Sequence, residues 1–540
     1  MKEEHSPQGG IWFLLGLIGV VLLGWGWGLD RRPAAPWEAL QAWAAWQGGP
    51  LPVGGSPLWA AWNTLVFGIF GPDEGWMRSG ALVAGALVAL ALWAMRPTLG
   101  TAGALGAIVL WILSPSAAAA SRFLDGGSAA AAAWAAVLAL WMTSLAWREW
   151  GLALALGLGA AAGPAFWTGA VGLLPLFGLA RRGEPLPRWR TLAQAGAVFA
   201  LAATGAGLRP SGLREAIDGL TAWMEGFRPE QAPHGWLVLQ ALAPFEGGIF
   251  LLGLAGWIRA IRNRDRLGTA LGIGAFLVLV LRGIRWGASF TEHAVLLVLW
   301  VALAGHAVQG LWEALALAFR ARPGVAAAAA GISGVGTILV VAASTWDIRP
   351  EGARWLFLAG VLGLLGMVIW LIESLSSTGF SGGGIRSPAL AGGLVGILMV
   401  LAGVQGAAMT AVVRRVDPMP GLSWSEMTAP EVAGLRAFLR EQAAIRKEAP
   451  GALRIGVVAE GPEAIFWRWT LRDFSVRVVG VPPAALEEEE EEFWIAPAGM
   501  ALPMEPDRWV GRPFPVRIDP LDPMRPPRPE AVLWARLPAP

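Results

Sequence analysis

The sequence predicts a mainly α-helical, polytopic membrane protein that ends in a small α/β domain. Three observations predict it. Of 540 residues, 55% are hydrophobic and only 15% charged, against about 25% charged in an average soluble chain. Apolar runs joined by short charged links fill residues 11 to about 410. Each is near the ~20 residues that cross ~30 Å of hydrocarbon. After Met409 the composition turns to Pro, Glu and Arg, and no further spanning run occurs.

The candidate spans are 11–29, 78–95, 99–115, 127–146, 150–163, 165–180, 192–208, 237–258, 267–281, 293–310, 325–344, 355–373 and 388–410, about thirteen in all. Residues 150–180 read either as one broken helix or as two short ones. The first run is not a cleaved signal. Its flank MKEEHSPQGG carries little net positive charge, the run is too long, and no small-x-small site follows. The densest arginine clusters are Arg181, Arg182, Arg188 and Arg190, then Arg259, Arg262, Arg264 and Arg266. Arginine bias places both in the cytoplasm with the N-terminus. An odd number of spans then puts the C-terminal region outside.

Two outer loops are long, 30–77 and 209–236. The first contains WEALQAWAAWQ and PLWAAWNTLVFGIFG, amphipathic helices with Trp at helical spacing, as suits a membrane interface. Residues 411–540 read as a soluble α/β domain. Thr428 and Glu431 have capping-box spacing ahead of the helical pattern VAGLRAFLREQAAIRK. LRIGVVAE, VRVVG, FWIAP and FPVRI read as strands. The six glutamates Glu487–Glu492 suit a solvated loop or helix end, with a cation site as the alternative.

Composition also excludes several chemistries. There is no cysteine, hence no disulfide, thiolate metal site or cysteine nucleophile. A net charge of +2 without a long basic run gives no nucleic-acid footprint. The 32 tryptophans beside zero tyrosines, and arginine in place of nearly all lysine, have the form of GC-rich coding. Walker, H-E-x-x-H and G-x-S-x-G motifs are missing, and His5, His234, His293 and His306 stand apart. Within the spans the acids Glu246, Glu292 and Glu373 fall near ends or links, which weighs against an ion-driven transporter. Charge and aromatics converge instead in the outer loops, at Asp30, Glu38, Asp73, Glu74, Arg122, Asp125, Arg209, Arg214 and Arg228. A carboxylate can serve as general base on an acceptor hydroxyl. Arginine can hold a phosphate leaving group. The same residues also suit solvated loops and interfacial anchors.

Several strings carry a family resemblance. They are PWEALQAWAAWQGG (36–49), SPLWAAWNTLVFGIFG (56–71), PSAAAASRFLDGGS (115–128), a long run from His234 to Arg266, and EHAVLLVLWVALAG (292–305). FWRWTLRDF (466–474) and WVGRPFPVR (509–517) follow in the C-terminal region. In this order the chain resembles the GT-C superfamily of membrane glycosyltransferases, which includes protein mannosyltransferases and aminoarabinose transferases. It is most similar to the flippase-activity-associated membrane proteins of bacteria and archaea. The resemblance implies a prokaryotic plasma membrane, and transfer of a sugar from a polyprenyl-phosphate donor at the outer face, by inversion. The partners implied are that lipid-linked sugar, membrane lipid, and a glycan, lipid or protein acceptor. Some relatives also hold a divalent cation with acids.

The resemblance further implies a catalytic Asp in an Asp-Glu pair of the first outer loop. Here the pair reads Trp37-Glu38. An acid expected six residues after Ser121 is Gly127, and a lysine-bearing link reads Arg285-Trp286-Gly287. Coding bias accounts for Tyr becoming Trp, but not for Asp becoming Trp. Either Glu38 or Asp125 serves as base, with Arg122 and Arg285 on the phosphate and no metal ligands assigned, or the chain is a non-catalytic relative that binds a lipid-linked sugar or a partner enzyme. A lipid or glycan transporter component is a further alternative, and requires a polar path through the spans.

Overall fold

The computed structural model describes residues 34–52, 54–142, 147–179, 189–228, 235–286, 292–321, 427–428, 430–482, 491–500, 502, 508–518 and 530–536. The expected spans 11–29, 325–344, 355–373 and 388–410 lie outside them. The first long loop forms α1 (Pro36–Gln47) and α2 (Pro57–Phe70). Then come α3 (Glu74–Ala94), α4 (Arg96–Leu99), α5 (Thr101–Leu113), α6 (Pro115–Ala120) and α7 (Gly127–Met142). After these lie α8 (Arg148–Ala162), α9 (Pro164–Leu179), α10 (Trp189–Thr204) and α11 (Gly212–Glu225). The helical part described ends with α12 (Gly235–Arg262), α13 (Arg266–Ile284) and α14 (His293–Ala321). Among the described residues, three stretches, Glu74–Ala94, Arg266–Ile284 and His293–Glu313, are long and apolar enough to cross a membrane.

Local chemistry sets the boundaries. Asp73 Oδ1 accepts the Gly75 N–H at 2.7 Å and starts α3, and Asp265 does the same for Leu267 N–H at 3.0 Å in α13. Ser56 and Ser114 precede Pro57 and Pro115, which open α2 and α6 at the position where proline loses no helical bond. The run 150–180 is two helices. Gly163 takes φ +108°, a backbone that L side chains rarely adopt, and Pro164 follows it. The turn from α12 to α13 leaves Arg262, Arg264 and Arg266 exposed. They stand a full helix, about 28 Å for 19 residues, from the other end of α13.

At that other end the long loops meet. Arg209 is buried and donates to the carbonyls of Ala44 (2.7 Å) and Gly49 (3.0 Å), while pairing with Glu215 at 3.1 Å. The two long loops therefore share one face of the helical body. The first of them is not simply laid on a surface. In α1, Ala39, Ala42 and Ala45 are buried, because α1 lies between α2 and a helix of the sheet domain. Leu65, Ile69 and Phe70 of α2 remain exposed, as an amphipathic helix would leave them.

The sheet domain contains β1 (Met427–Thr428), α15 (Pro430–Ile445), β2 (Arg454–Val458), α16 (Gly461–Thr470) and β3 (Ser475–Val479). It continues with β4 (Phe493–Pro497), β5 (Trp509–Phe514), β6 (Arg517–Ile518) and β7 (Ala531–Arg536). The main sheet runs β3-β2-β4-β7-β5. The first three strands are parallel, and β7 is antiparallel to both β4 and β5. Leu435, Leu439, Phe466 and Trp467 of the helices share a core with Ile455, Val457, Phe493 and Ile495 of the strands. Two expectations are revised. FPVRI is not one strand but the end of β5 plus the short β6, and AVLWAR forms β7, which the sequence reading passed over. The expected helix after the capping-box spacing is present as α15; the Thr428 side chain lies outside the described residues.

Candidate functional site

Glu38 enters α1 in its first turn. Its carboxylate reaches back to the Ala35 N–H at 3.0 Å, one half of a capping box; alanine has no oxygen to supply the other half. Arg78 donates to it from Nε (3.2 Å) and Nη2 (2.8 Å). The Leu124 N–H adds a fourth bond at 3.0 Å. Each carboxylate oxygen thus accepts two donors, which uses the four lone-pair positions such a group has, roughly. Glu38 is 1% exposed and Arg78 0%.

The link that supplies Leu124 is held firmly. Gln41, one turn along α1, donates to the Leu124 carbonyl at 2.5 Å and accepts the Ser56 N–H at 3.0 Å. The Trp59 indole donates to the Asp125 carbonyl at 2.6 Å. A Cβ on Gly126 would come within 1.8 Å of the Ala162 carbonyl, so only glycine lets the link press against the α8–α9 break. Asp125 is half-buried, and its Oδ1 accepts the Gly127 N–H at 2.9 Å to open α7. Arg122 is buried in the same link. Burial, and then the Arg78 guanidinium beside it, push its pKa down to about 10, so it stays charged at neutral pH. Three of the four residues singled out from sequence, Glu38, Arg122 and Asp125, therefore meet.

The fourth lies in a second buried cluster. Arg285, at the end of α13, forms an ion pair with Glu292. Its neighbours include Arg282, fully buried, and Gly226 at the end of α11. His293, which opens α14, faces Phe250 of α12 with ring centroids 6.0 Å apart. One turn before Phe250, the buried Glu246 accepts from Ser114 Oγ (2.7 Å) and the Ser116 N–H (2.9 Å). Among the described residues, no three His, Asp or Glu side chains gather as a metal site.

The sheet domain closes on the first cluster from outside it. Glu74, one helical turn from Arg78, is buried and accepts from Arg472 (2.9 and 2.5 Å) and Arg436 (2.9 Å). Arg472 also donates to the Pro72 carbonyl at 2.9 Å and lies over the Trp469 ring. Trp469 in turn meets Trp46 and Phe67. Sequence reading missed Arg78, Arg282 and this clamp. Arg78 was visible as a charge at the first residue of an apolar run, and W-x-LRD as an aromatic-rich string. Neither pattern names a partner 40 or 398 residues away.

No family model matches the chain, and no curated sequence matches it. Solved structures do. ArnT from Cupriavidus metallidurans, in its apo state, superposes with TM-score 0.56 over 98% of both chains at 15% identity. The chain shares that fold. The same protein bound to undecaprenyl phosphate matches equally, with TM-score 0.56, 15% identity and 98% of each chain covered. An oligosaccharyltransferase from Archaeoglobus fulgidus is more distant, with TM-score 0.40 and 11% identity over 90% of this chain and 67% of that one. An ArnT-like fold accounts for an apolar helical body that carries its loops and a small sheet domain together.

Proposed function

We propose that the chain is a GT-C-type glycosyltransferase of the prokaryotic plasma membrane, using a polyprenyl-phosphate-linked sugar at its outer face. The observation that carries this is likeness over nearly the whole chain to a fold solved with undecaprenyl phosphate bound. On this reading the long loops and the domain 411–540 are extracytoplasmic, and the N-terminus is cytoplasmic. Arg122, in the same link as Asp125, neutralises the phosphate of the donor, while Arg285 is already neutralised by Glu292 in the second cluster. Glu38 is shut away from solvent and braced by Arg78 and two backbone N–H groups, so the base role passes to Asp125, the half-buried carboxylate of the same link. Asp125 takes the acceptor proton as the acceptor oxygen bonds to the anomeric carbon, and polyprenyl phosphate leaves with the bonding electrons.

Asp125→Asn removes the proton acceptor and keeps the hydrogen bond that opens α7. It should slow release of polyprenyl phosphate by about 10²–10⁴-fold, far more than any fall in folded fraction read from the thermal midpoint would explain. Release at the unsubstituted rate would exclude Asp125 as base. A second reading, a non-catalytic protein that binds the lipid-linked sugar, is favoured by the saturated Glu38 beside a tryptophan at the expected acid position. It predicts tight donor binding and no release with any glycan, lipid or protein acceptor supplied.

A further inference from the structure

Arginines are held differently at the two ends of the helical body. Beside the long loops, Arg78, Arg209 and Arg285 are buried and paired with Glu38, Glu215 and Glu292. At the far end, in the turn from α12 to α13, Arg262, Arg264 and Arg266 are exposed. Among the described residues, no hydrogen bond or ion pair engages their guanidinium groups. Arg259, one turn earlier, is paired with Glu313 at 2.8 Å. The acid inside the turn, Asp265, caps α13 with one oxygen and places the other 4.0 Å from His306 Nε2. The turn itself closes α12 as a Schellman motif. The Asp265 N–H bonds the Ala260 carbonyl at 2.8 Å, and the Arg264 N–H bonds the Ile261 carbonyl at 3.1 Å. The left-handed position of that motif usually holds glycine; here it holds Arg264, at φ 55°. Three unpaired cations thus stand within five residues, one of them where the backbone disfavours any side chain.

Two further observations set what these cations face. The apolar stretch of α13 begins at Arg266, and that of α14 ends at Glu313, beside the exposed Trp312. Exposed indoles mark the level where hydrocarbon gives way to headgroups, so the turn stands at that level. Along α12, the exposed Leu251, Leu254, Ile258 and Ile261 recur at helical spacing and lead down one face to Arg262. The other face of α12 packs on α14 through Gly253 and Gly256. We propose that the turn and this stripe bind an anionic phospholipid, with its phosphate on Arg262, Arg264 and Arg266 and its acyl chains along α12. Charge complementarity selects an anionic headgroup over a zwitterionic one, whose ammonium group would stand among the arginines. The stripe selects a lipid over a soluble phosphate, because it continues the site into hydrocarbon. The site is a helix length away from the cluster around Arg285 and does not depend on transfer of a sugar.

The test titrates the full-length protein in detergent with phosphatidylglycerol and phosphatidylcholine of matched chains, and reads retained lipid by native mass spectrometry. The unsubstituted protein should retain phosphatidylglycerol in preference, and the preference should shrink as salt rises. One arginine near an anionic headgroup contributes about fivefold in affinity. Replacing all three, Arg262→Gln, Arg264→Gln and Arg266→Gln, should therefore weaken phosphatidylglycerol by about 10²-fold and leave phosphatidylcholine unchanged. The corresponding triple lysine variant should keep the preference, since charge carries it, and this separates lost charge from a damaged turn. Arg264→Gly should raise the thermal midpoint, because glycine suits the left-handed backbone, and yet weaken phosphatidylglycerol by about fivefold. A merely structural Arg264 would not move the lipid preference. Equal retention of the two lipids by the unsubstituted protein, or an undiminished preference in the triple glutamine variant, overturns the proposal. So does displacement of phosphatidylglycerol by glycerol phosphate at the concentrations at which the lipid itself competes, since the anion alone would then be what binds.

Discussion

Arg78→Met destabilises the loop-bearing face by about 3–5 kcal/mol, the cost of stranding one member of a buried ion pair. Both members are shut away from solvent, and Arg78 supplies two of the four bonds to Glu38. Glu38→Met should cost a similar amount, because it strands Arg78. The double substitution should recover a large part of either loss, since replacing both partners with apolar groups leaves no unpaired charge. Denaturation in detergent of the four proteins measures the coupling. Additive losses would mean that the pair is not the brace described here. The same measurement separates a brace from a base. Glu38→Gln acting as a lost base would reduce turnover at an unchanged midpoint. As a lost brace it would reduce the midpoint, and turnover would fall with the folded fraction.

Glu74→Leu should uncouple the sheet domain from the first loop. It leaves the buried Arg472 and the largely buried Arg436 without their shared carboxylate, again at about 3–5 kcal/mol. Hydrogen exchange should rise together in α1 and α16, which pack on each other. A rise in α16 alone would show that α1 does not depend on the docked domain. The clamp has a pH arm as well. Burial would raise the Asp473 carboxyl, yet hydrogen bonds and charge from Arg436 and Arg440 hold it below its ordinary value of 3.8. A carboxyl lowered in the folded state contributes fully above its unfolded value and loses that contribution as pH falls through the folded one. Docking should therefore be insensitive to pH near neutrality and weaken below about pH 4. Asp473→Asn should reduce that acid sensitivity without abolishing it, because the clamp's interface carboxylate, Glu74, still loses its charge in acid.

Glu74 and Arg78 are one turn apart on one face of α3 and are held by different elements, the first by the sheet domain and the second by α1. One helical turn thus links the domain to the cluster that holds Arg122 and Asp125. The fold could be anticipated where its signal is local. Apolar run length announced α3, α13 and α14, whereas one broken helix or two short ones over 150–180 was settled only by the backbone at Gly163. The short continuous apolar runs in RIGVV and FWIAP announced buried strands. AVLWAR has a similar pattern but follows a proline-rich stretch, and what makes it a strand is pairing on both sides with β4 and β5.

The candidate site divides along the same line. That carboxylates and arginines gather in the loops of one face is a property of composition and order, and the sequence alone determined it. So did the unexpected Trp37 beside Glu38. What Glu38 does there was decided only by tertiary structure. Its donors include groups of residues 35, 78 and 124, and a carboxylate's availability depends on which donors surround it in space. The same holds for Asp125, Glu74 and His293. A residue's type states what it can bond to, and packing alone decides whether those bonds are already made.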